Sequence, residues 1–463
     1  WKNMFGKIKH IHFIGIGGIG MSAIAELLNH WGFTITGSDV KYSDNIARLE
    51  KSGIRIFIGH HPENLKKCDA VVYTSAIDPS NPEYKKALKL GIPVIKRAEM
   101  LGEILRLKPN SIAIAGTHGK TTTTSLIGHI FTEAGLDPII ISGGVIKGLG
   151  SNIRIGSGDT IIVEADEFDH SFLQLYPTHI IITSIDPEHL DIYKTLENIK
   201  ANFTKFANRI PFYGKLIINT DDENIRSILS KFTVPTLQYS LDKAGDIRAE
   251  NIHLAKMNSQ IDIVLIEKCL GTVNLPLPGL HNVKNALSAI AVGLEYDIDF
   301  SSIKNALETF EGIERRFDII YQSDKLMLVD DYAHHPSEIK ATLTAAKQGW
   351  DRRIIAVFQP HLYSRTKVFY KEFAQELHLA DIIILLDVFP SREKPIYGVS
   401  GKLIDGILRT TGHSNVHYFQ KMSEVPDFIK SIYRNGDMII TLGAGNVNKL
   451  HKSFKKILCN HDR

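Results

Sequence analysis

The sequence has few of the features that mark secreted, membrane-spanning or nucleic-acid-binding proteins. Its three cysteines are far apart and form no CxxC pair, which favours ordinary buried or surface thiols in a reducing compartment. Its apolar runs, such as residues 382–386, are too short to cross a bilayer, and its first residues lack the apolar core of a signal peptide. A net charge of +3 gives no case for a nucleic-acid or membrane partner. These absences predict a cytoplasmic protein.

The sequence does have length and a regular alternation of elements. At roughly 150 residues per domain, 463 residues predict about three domains. Apolar strands alternate with amphipathic helices, which predicts α/β domains built on parallel sheets. Two polar connections, "RLKPN" at 106–110 and "EGIERRF" at 311–317, break this alternation. We therefore expect domains at 1–107, 108–314 and 315–463.

The first of two glycine loops, "GIGGIG", lies between a predicted strand at 11–14 and a predicted helix at 21–29. Gly15, Gly17 and Gly20 match the G-x-G-x-x-G dinucleotide fingerprint, and Asp39 follows the next strand. Such a loop selects a diphosphate and a diol, because glycines let the backbone approach and a helix N-terminus attracts anions. A UDP-sugar satisfies this chemistry as well as NAD does, so the loop leaves the nucleotide open.

The second loop, "AGTHGKTTTT" at 115–124, reads G-x-x-G-K-T and is two residues shorter than a Walker A loop. Gly116 and Gly119 free backbone N–H groups for an anion, Lys120 offers charge to the β- and γ-phosphates, and Thr121 offers a hydroxyl to Mg²⁺. A plain helix-capping turn would explain a glycine and a threonine but not the Gly-Lys-Thr order. The pattern predicts an ATP phosphate site.

Acidic residues follow the next two strands of the same region. "EADEFDHSF" contains Glu164, Asp166, Glu167 and Asp169, and "DPEHLDIY" contains Asp186, Glu188, His189 and Asp191. Any one of these acids could belong to a solvated loop. Because α/β proteins bind ligands at the carboxyl ends of their strands, the cluster favours metal and substrate binding.

Several motifs taken together, in order, resemble the muramyl (Mur) ligase family, and within it the members that add alanine. The resemblance covers essentially the whole chain and is carried by "GTHGKTTTT", "EADEFDHSFL", "DPEHLDIY", "GLHNVKNALSAIAVG", "GIERRF", "VDDYAHHPSEI", "FQPHLYSRT", "DVFPSREKPIYGVSG" and "GAGN". It implies a Rossmann-like N-terminal domain, a central P-loop ATPase domain and a C-terminal Rossmann-like domain. It also implies ATP-dependent ligation of L-alanine to UDP-N-acetylmuramate, with ATP and Mg²⁺ as cofactors, in a monomer or weak homodimer.

The glycine loops and the resemblance together give the candidate site residues. Catalysis is assigned to Lys120, His334 and Arg365. ATP binding is assigned to Gly116, Thr117, His118, Gly119, Lys120, Thr121, Thr122, His281, Asn282, Asn285, Arg316 and Asp331. Metal binding is assigned to Thr121, Glu164 and His189. Substrate binding is assigned to Gly15, Gly17, Gly18, Gly20, Met21, Ser22, Asp39, Ser75, Asp166, Glu167, Tyr332, His334, Arg365 and Arg392.

Four alternatives compete with this interpretation. A relative that attaches a recycled tripeptide would be expected to vary the first glycine loop and the "DPEHLDIY" region. A folylpolyglutamate synthetase typically has G-K-G-S where this chain has Gly119-Lys120-Thr121-Thr122. A nicotinamide-dependent dehydrogenase would use the first loop and leave everything beyond residue 110 unexplained. A non-catalytic UDP-sugar-binding protein would leave the acidic cluster without a role.

Overall fold

The structure is a computed structural model that describes residues 5–188, 190–242, 245–391 and 393–458, with only the backbone of residues 190 and 191. The chain divides into two compact units. The first comprises Trp1–Asn251, Asp262–Val273 and Lys284–Glu311, and the second comprises Ile252–Ile261, Asn274–Val283 and Gly312–Arg463. The strands of the whole chain form three separate sheets, each covered by helices.

The N-terminal sheet has five parallel strands. These are β1 (His10–Ile14), β2 (Thr34–Asp39), β3 (Arg55–Ile58), β4 (Ala70–Tyr73) and β5 (Val94–Lys96). The covering helices are α1 (Ile19–His30), α2 (Asp44–Lys51), α3 (Pro82–Lys89) and α4 (Arg97–Leu105). The strand order is β3-β2-β1-β4-β5, so the order reverses between β1 and β4. This reversal is the switch point at which open α/β sheets bind ligands.

The central sheet has ten strands. These are β6 (Asn110–Ala115), β7 (Ile139–Ile146), β8 (Ser151–Arg154), β9 (Thr160–Glu164), β10 (His179–Ile182), β11 (Lys215–Asn219), β12 (Thr236–Ser240), β13 (Ile247–Ala255), β14 (Asn258–Leu265) and β15 (Lys268–Leu275). Its helices are α5 (Lys120–Glu133), α6 (Leu190–Tyr193), α7 (Leu196–Ala207), α8 (Glu223–Arg226), α9 (Leu280–Glu295) and α10 (Phe300–Glu308). The order is β15-β14-β13-β12-β11-β10-β6-β9-β7-β8. The loops after β6, β9 and β10 therefore emerge side by side, since these strands are parallel neighbours.

The C-terminal sheet has six strands in the order β16-β17-β21-β18-β19-β20, where β16 is antiparallel and the rest are parallel. These are β16 (Asp318–Gln322), β17 (Leu326–Asp331), β18 (Ile354–Phe358), β19 (Ile382–Leu386), β20 (Val416–Phe419) and β21 (Asp437–Leu442). Its helices are α11 (Pro336–Gly349), α12 (Tyr363–Leu377), α13 (Lys402–Thr410), α14 (Val425–Ile432) and α15 (Leu450–Leu458).

The predicted three-domain α/β fold class is confirmed. Strands predicted at 160–164, 215–219, 354–358 and 382–386 form with those bounds, because each is a continuous apolar run buried on both faces. The pair β7 and β8 and the antiparallel β16 were not predicted. The domain boundaries at 107 and 314 stay predictions. No helix within the described part of the chain is both long and apolar enough to cross a membrane.

A buried carboxylate ties the second strand of the N-terminal sheet to the loop after β3. Glu83 on α3 is fully buried and accepts hydrogen bonds from the Ser38 hydroxyl at 2.5 Å and the Asn64 amide at 2.6 Å. The imidazoles of His12 and His60 lie 3.6 and 3.4 Å from the same carboxylate. Burial alone would raise the pKa of Glu83, but the hydrogen bonds outweigh burial and lower it.

Replacing Glu83 with alanine should destabilise the N-terminal domain by about 2–4 kcal/mol, because the buried Ser38 hydroxyl and the buried His12 imidazole would lose the carboxylate. Equilibrium unfolding in urea measures the change. The control is Glu63→Ala, an exposed carboxylate on the same connection, which should stay within about 0.5 kcal/mol of the parent. Equal unfolding midpoints for the two variants would contradict the role given to Glu83.

Candidate active site

The phosphate loop joins β6 to α5 through two glycines in the left-handed region. Gly116 has φ +131° and Gly119, the residue that caps α5, has φ +81°. A Cβ on Gly119 would lie 2.5 Å from the Asn285 side-chain oxygen. Both positions therefore require glycine, on grounds of backbone conformation and of space. The first turn of α5 places Thr121 and Thr122, both predicted ATP residues, at 8 % and 7 % exposure.

The neighbouring loop after β10 holds the phosphate loop in place. Thr117 donates its N–H to the Ser184 carbonyl at 2.9 Å, and its hydroxyl accepts the Asp186 N–H at 2.8 Å. His118 donates its N–H to the Ser184 hydroxyl at 3.0 Å, and its Nε2 lies 2.9 Å from the Asp186 carboxylate. Hydrogen bonds thus fix the backbones of the two predicted ATP residues, Thr117 and His118, at the carboxyl ends of the strands.

Lys120 folds back over its own loop. Its ammonium donates to the Gly116 carbonyl at 2.5 Å and the Thr117 carbonyl at 3.2 Å, and it forms an ion pair with Glu167 at 2.9 Å. Burial alone would lower the pKa of Lys120, but the charge of Glu167, reinforced by Asp166, outweighs burial and raises it. The lysine is therefore held in its charged form at the start of α5.

Three acidic residues, Glu167, Asp166 and Glu188, act electrostatically on Lys120. Glu167 is 3 % exposed, and burial together with Asp166 and Glu188 raises its pKa, while Lys120 acts to lower it. Such a set of carboxylate oxygens suits a divalent cation such as Mg²⁺, which prefers oxygen ligands. Glu164, the predicted metal ligand, has one carboxylate oxygen hydrogen-bonded by the Gly143 N–H at 2.5 Å.

The turn that carries Glu167 has an unusual backbone. Asp169 and His170 both have positive φ, 54° and 53°, a conformation that costs non-glycine residues free energy. The buried Tyr193 donates its hydroxyl to the Glu167 carbonyl at 2.6 Å, and Ser171 donates to the Asp166 carbonyl at 2.8 Å. No role was predicted for Tyr193 from the sequence, although it ends the "DPEHLDIY" motif.

The first glycine loop is built on the end of β2. Gly15, at φ +81°, donates its N–H to the Ser38 carbonyl at 2.8 Å, and Gly17 donates to the Asp39 carboxylate at 2.9 Å. Asp39 thus holds the loop itself. Of the remaining predicted substrate residues, Gly18 caps α1 and Gly20 lies in its first turn. Met21 and Ser22 are buried beneath the loop, and Ser75 is exposed after β4.

The second unit brings together predicted residues from three connections: before β16, after β17 and after β18. His334 Nδ1 lies 2.9 Å from the Tyr332 carbonyl and 3.3 Å from the Glu338 carboxylate. Arg316 lies 3.5 Å from Glu338, and its guanidinium stacks over the Tyr332 ring at 5.4 Å. Arg365 Nη1 lies 3.3 Å from the ring of His361, which packs against the His334 ring at 5.8 Å. Glu338 was not predicted; its signal was its place as the third residue of α11 in a capping box.

Asp331 ends β17 and is buried beneath this cluster. Its carboxylate accepts the N–H groups of Phe317 at 2.9 Å and Ala333 at 2.8 Å and the Thr342 hydroxyl at 3.1 Å. Burial raises the pKa of Asp331 to about 6, although the charge of Arg316 lowers it.

The remaining predicted ATP residues lie on α9. His281 is exposed, whereas Asn282 is buried and donates its amide to the Pro278 carbonyl at 2.8 Å. Asn285 accepts the Thr123 hydroxyl at 3.4 Å and packs against Gly119 of the phosphate loop. Two predicted residues, His189 and Arg392, lie outside the described residues.

Three family models match the chain in succession. The model of the Mur ligase family catalytic domain matches residues 10–109, that of the Mur ligase middle domain matches 114–293, and that of the Mur ligase glutamate ligase domain matches 315–445.

Curated relatives match the chain over almost its full length. A protein of Sulfurihydrogenibium sp. is 47 % identical over 454 residues, covering 98 % of both chains. One of Persephonella marina is 45 % identical over 459 residues, covering 99 % of this chain and 98 % of the relative. One of Salinibacter ruber is 44 % identical over 457 residues, covering 98 % and 96 %. All three relatives are named UDP-N-acetylmuramate--L-alanine ligase.

Solved structures give the same picture. The UDP-N-acetylmuramate-alanine ligase of Thermotoga maritima superposes with a TM-score of 0.83 at 28 % identity, covering 98 % of this chain and all of that one. A murein peptide ligase of Psychrobacter arcticus superposes with a TM-score of 0.73 at 27 % identity, covering 98 % and 99 %.

Replacing Asp331 with asparagine should flatten the pH dependence of stability between about pH 4 and pH 7. The folded-state pKa near 6 lies above the unfolded value near 3.9, so the parent loses stability as pH rises through this window. The loss from this one group is about 3 kcal/mol. Urea unfolding at several pH values gives the slope, with exposed Asp324→Asn as the control. A parent-like slope in the Asp331 variant would refute the raised pKa.

Proposed function

This chain belongs to the Mur ligase family, and on that premise we propose that it uses ATP to join L-alanine to the carboxylate of UDP-N-acetylmuramate. The products are the amide, ADP and phosphate, and the reaction belongs to the synthesis of peptidoglycan precursors. One observation carries the substrate assignment: relatives with this name are 44–47 % identical to the chain over almost its whole length. A cytoplasmic location and a monomeric or weakly dimeric state are part of the proposal.

The chemistry explains why such an enzyme needs a phosphate loop. A carboxylate does not accept an amine directly, because the leaving group would be oxide. Its oxygen therefore attacks the γ-phosphorus of ATP, which releases ADP and leaves an acyl phosphate. The alanine amine then attacks the acyl carbon, and a tetrahedral intermediate expels phosphate. Phosphoryl transfer is mainly a matter of positioning and charge neutralisation, which Lys120 and the N–H groups of its loop supply.

We propose that Mg²⁺ is held beside Lys120. Mg²⁺ prefers oxygen ligands, and the acidic residues that follow β9 supply carboxylate oxygens. Glu164 and Thr121, together with His189, are the residues that would hold it. The bound ion would neutralise negative charge on the phosphates. Lys120 itself moves from the carbonyls of its own loop to the nucleotide when ATP binds.

The second unit would handle the amine. The Tyr332 carbonyl and Glu338 accept the proton of His334 Nδ1, so Nε2 is the basic nitrogen of this imidazole. His334 is thereby suited to accept a proton from the ammonium group of alanine, which frees the amine to attack the acyl carbon. The planar guanidinium of Arg365 suits a carboxylate or phosphate, which it can bind through two parallel hydrogen bonds.

An assay of ADP release tests the proposal directly. ADP should form only when UDP-N-acetylmuramate, L-alanine and Mg²⁺ are all present. A second arm replaces L-alanine with L-alanyl-γ-D-glutamyl-meso-diaminopimelate, the peptide for which a Neisseria ligase that matches two thirds of this chain is named. Preference for that peptide would identify a recycling ligase, and oxidation of a nicotinamide cofactor would identify a dehydrogenase. Either outcome would refute the proposal.

Replacing Lys120 with alanine should reduce turnover by at least about 10²-fold, because a charge aimed at the transferring phosphoryl group is lost. Binding of UDP-N-acetylmuramate should stay within about twofold of the parent, since the first glycine loop belongs to a different sheet. Calorimetry and the ADP assay measure the two quantities separately. The control is Lys85→Ala, an exposed lysine, which should change neither. If the Lys120 variant lost both turnover and binding of UDP-N-acetylmuramate, the two loops would not serve separate ligands.

A further inference from the structure

A guanidinium outside the fingerprint motif lies against the first glycine loop. Arg97 is the first residue of α4 and follows β5 directly. Its Nη1 lies 2.9 Å from the position that a Cβ on Gly20 would take. A side chain at position 20 would have to push this guanidinium aside, so the glycine there leaves room for Arg97 beside the first turn of α1.

Arg97 lies beside α1, the helix that follows β1 at the switch point of the N-terminal sheet. The strand order reverses between β1 and β4, and the missing side chain of Gly15 would lie 2.8 Å from Thr74, which follows β4. The crevice is therefore bordered by the glycine loop after β1, by Thr74 after β4 and by Arg97 after β5. Open α/β sheets bind their ligands in this crevice.

The charges around the crevice call for an anion. The N-terminus of α1 carries a partial positive charge, and its first turn contains no acidic residue. Arg97 adds a full positive charge beside that end. The guanidinium has an ion pair with Asp166, but the distance is 3.8 Å and both side chains are partly exposed, at 28 % and 47 %. The Asp39 carboxylate, which accepts the Gly17 N–H of the same loop, and this weak ion pair balance only part of the positive charge of Arg97 and the helix end.

We propose that Arg97 is a substrate-binding residue that holds the diphosphate of UDP-N-acetylmuramate against the first glycine loop, releasing Asp166 as it does so. This inference rests on the proposed function and adds a residue to it that neither motif nor resemblance supplied. A guanidinium can donate two parallel hydrogen bonds to a phosphate, whereas an ammonium acts as a point charge. Arginine is therefore the better residue for a group that must be both bound and oriented.

The test is calorimetric binding of three ligands to the full chain and to Arg97→Gln. UDP, UDP-N-acetylglucosamine and UDP-N-acetylmuramate share the diphosphate, and the third alone carries the lactyl carboxylate. The variant should bind all three at least about tenfold more weakly, because a charged hydrogen-bonded contact is lost. Arg97→Lys should recover part of that loss. Affinity for a non-hydrolysable ATP analogue should not change.

The matched control is Lys96→Gln, which removes the adjacent ion pair, Lys96 to Asp169 at 3.7 Å, between side chains that are also partly exposed. It should keep the affinity of the parent for all three ligands. An equal loss in this variant would show that ion pairing with the turn after β9 matters, and would overturn a direct role for Arg97. The proposal is also overturned if Arg97→Gln binds all three ligands normally, or weakens only UDP-N-acetylmuramate, which would point to the carboxylate. If the parent binds none of the three, the proposed function itself fails.

Discussion

The candidate ATP site depends on one buried ion pair, between Lys120 and Glu167. An ammonium removed from water is costly unless acceptors surround it, and here two loop carbonyls and a carboxylate do so. These acceptors come from the loops after β6 and β9, which are neighbouring parallel strands. The β10 loop braces the other side of the phosphate loop. The strand order of the central sheet is thus what brings the charged groups together.

The same requirement accounts for the strained turn after β9. Glu167 must point back toward α5, and the chain then reverses through two residues with positive φ. The Tyr193 hydroxyl and the Ser171 hydroxyl hold the carbonyls at the start of this turn. These hydrogen bonds offset part of the backbone cost, so the geometry of the ion pair is maintained by residues that do not touch it. The strained residues Asp169 and His170 and the carbonyls that are held in place all lie in the connection after β9, because this connection carries Glu167.

The sequence predicted the elements and loops whose information is local, and could not predict contacts between distant residues. Buried strands such as β9 and β18 are continuous apolar runs, so their bounds were correct, whereas β16 is only partly buried and was not predicted. Glycines at fixed spacing predicted both glycine loops. Nothing local distinguishes Arg97 or Glu83 from other charged helix residues, since their partners are far away in the chain. Tyr193 and Glu338 lie inside recognised motifs, but their roles depend on the folded backbone.

The two glycine loops also show why one ligand was easier to infer than the other. The phosphate loop carries its cation in its own sequence, one residue after Gly119, so the Gly-Lys-Thr order already implies a triphosphate. The first loop contains only backbone donors, and Asp39 already accepts one of these, the N–H of Gly17. The positive charge beside it, Arg97, comes from the start of α4, directly after a strand that lies two positions away in the sheet. The fingerprint could therefore indicate a diphosphate but not which nucleotide carries it. The charge at this site is supplied by the fold rather than by the motif.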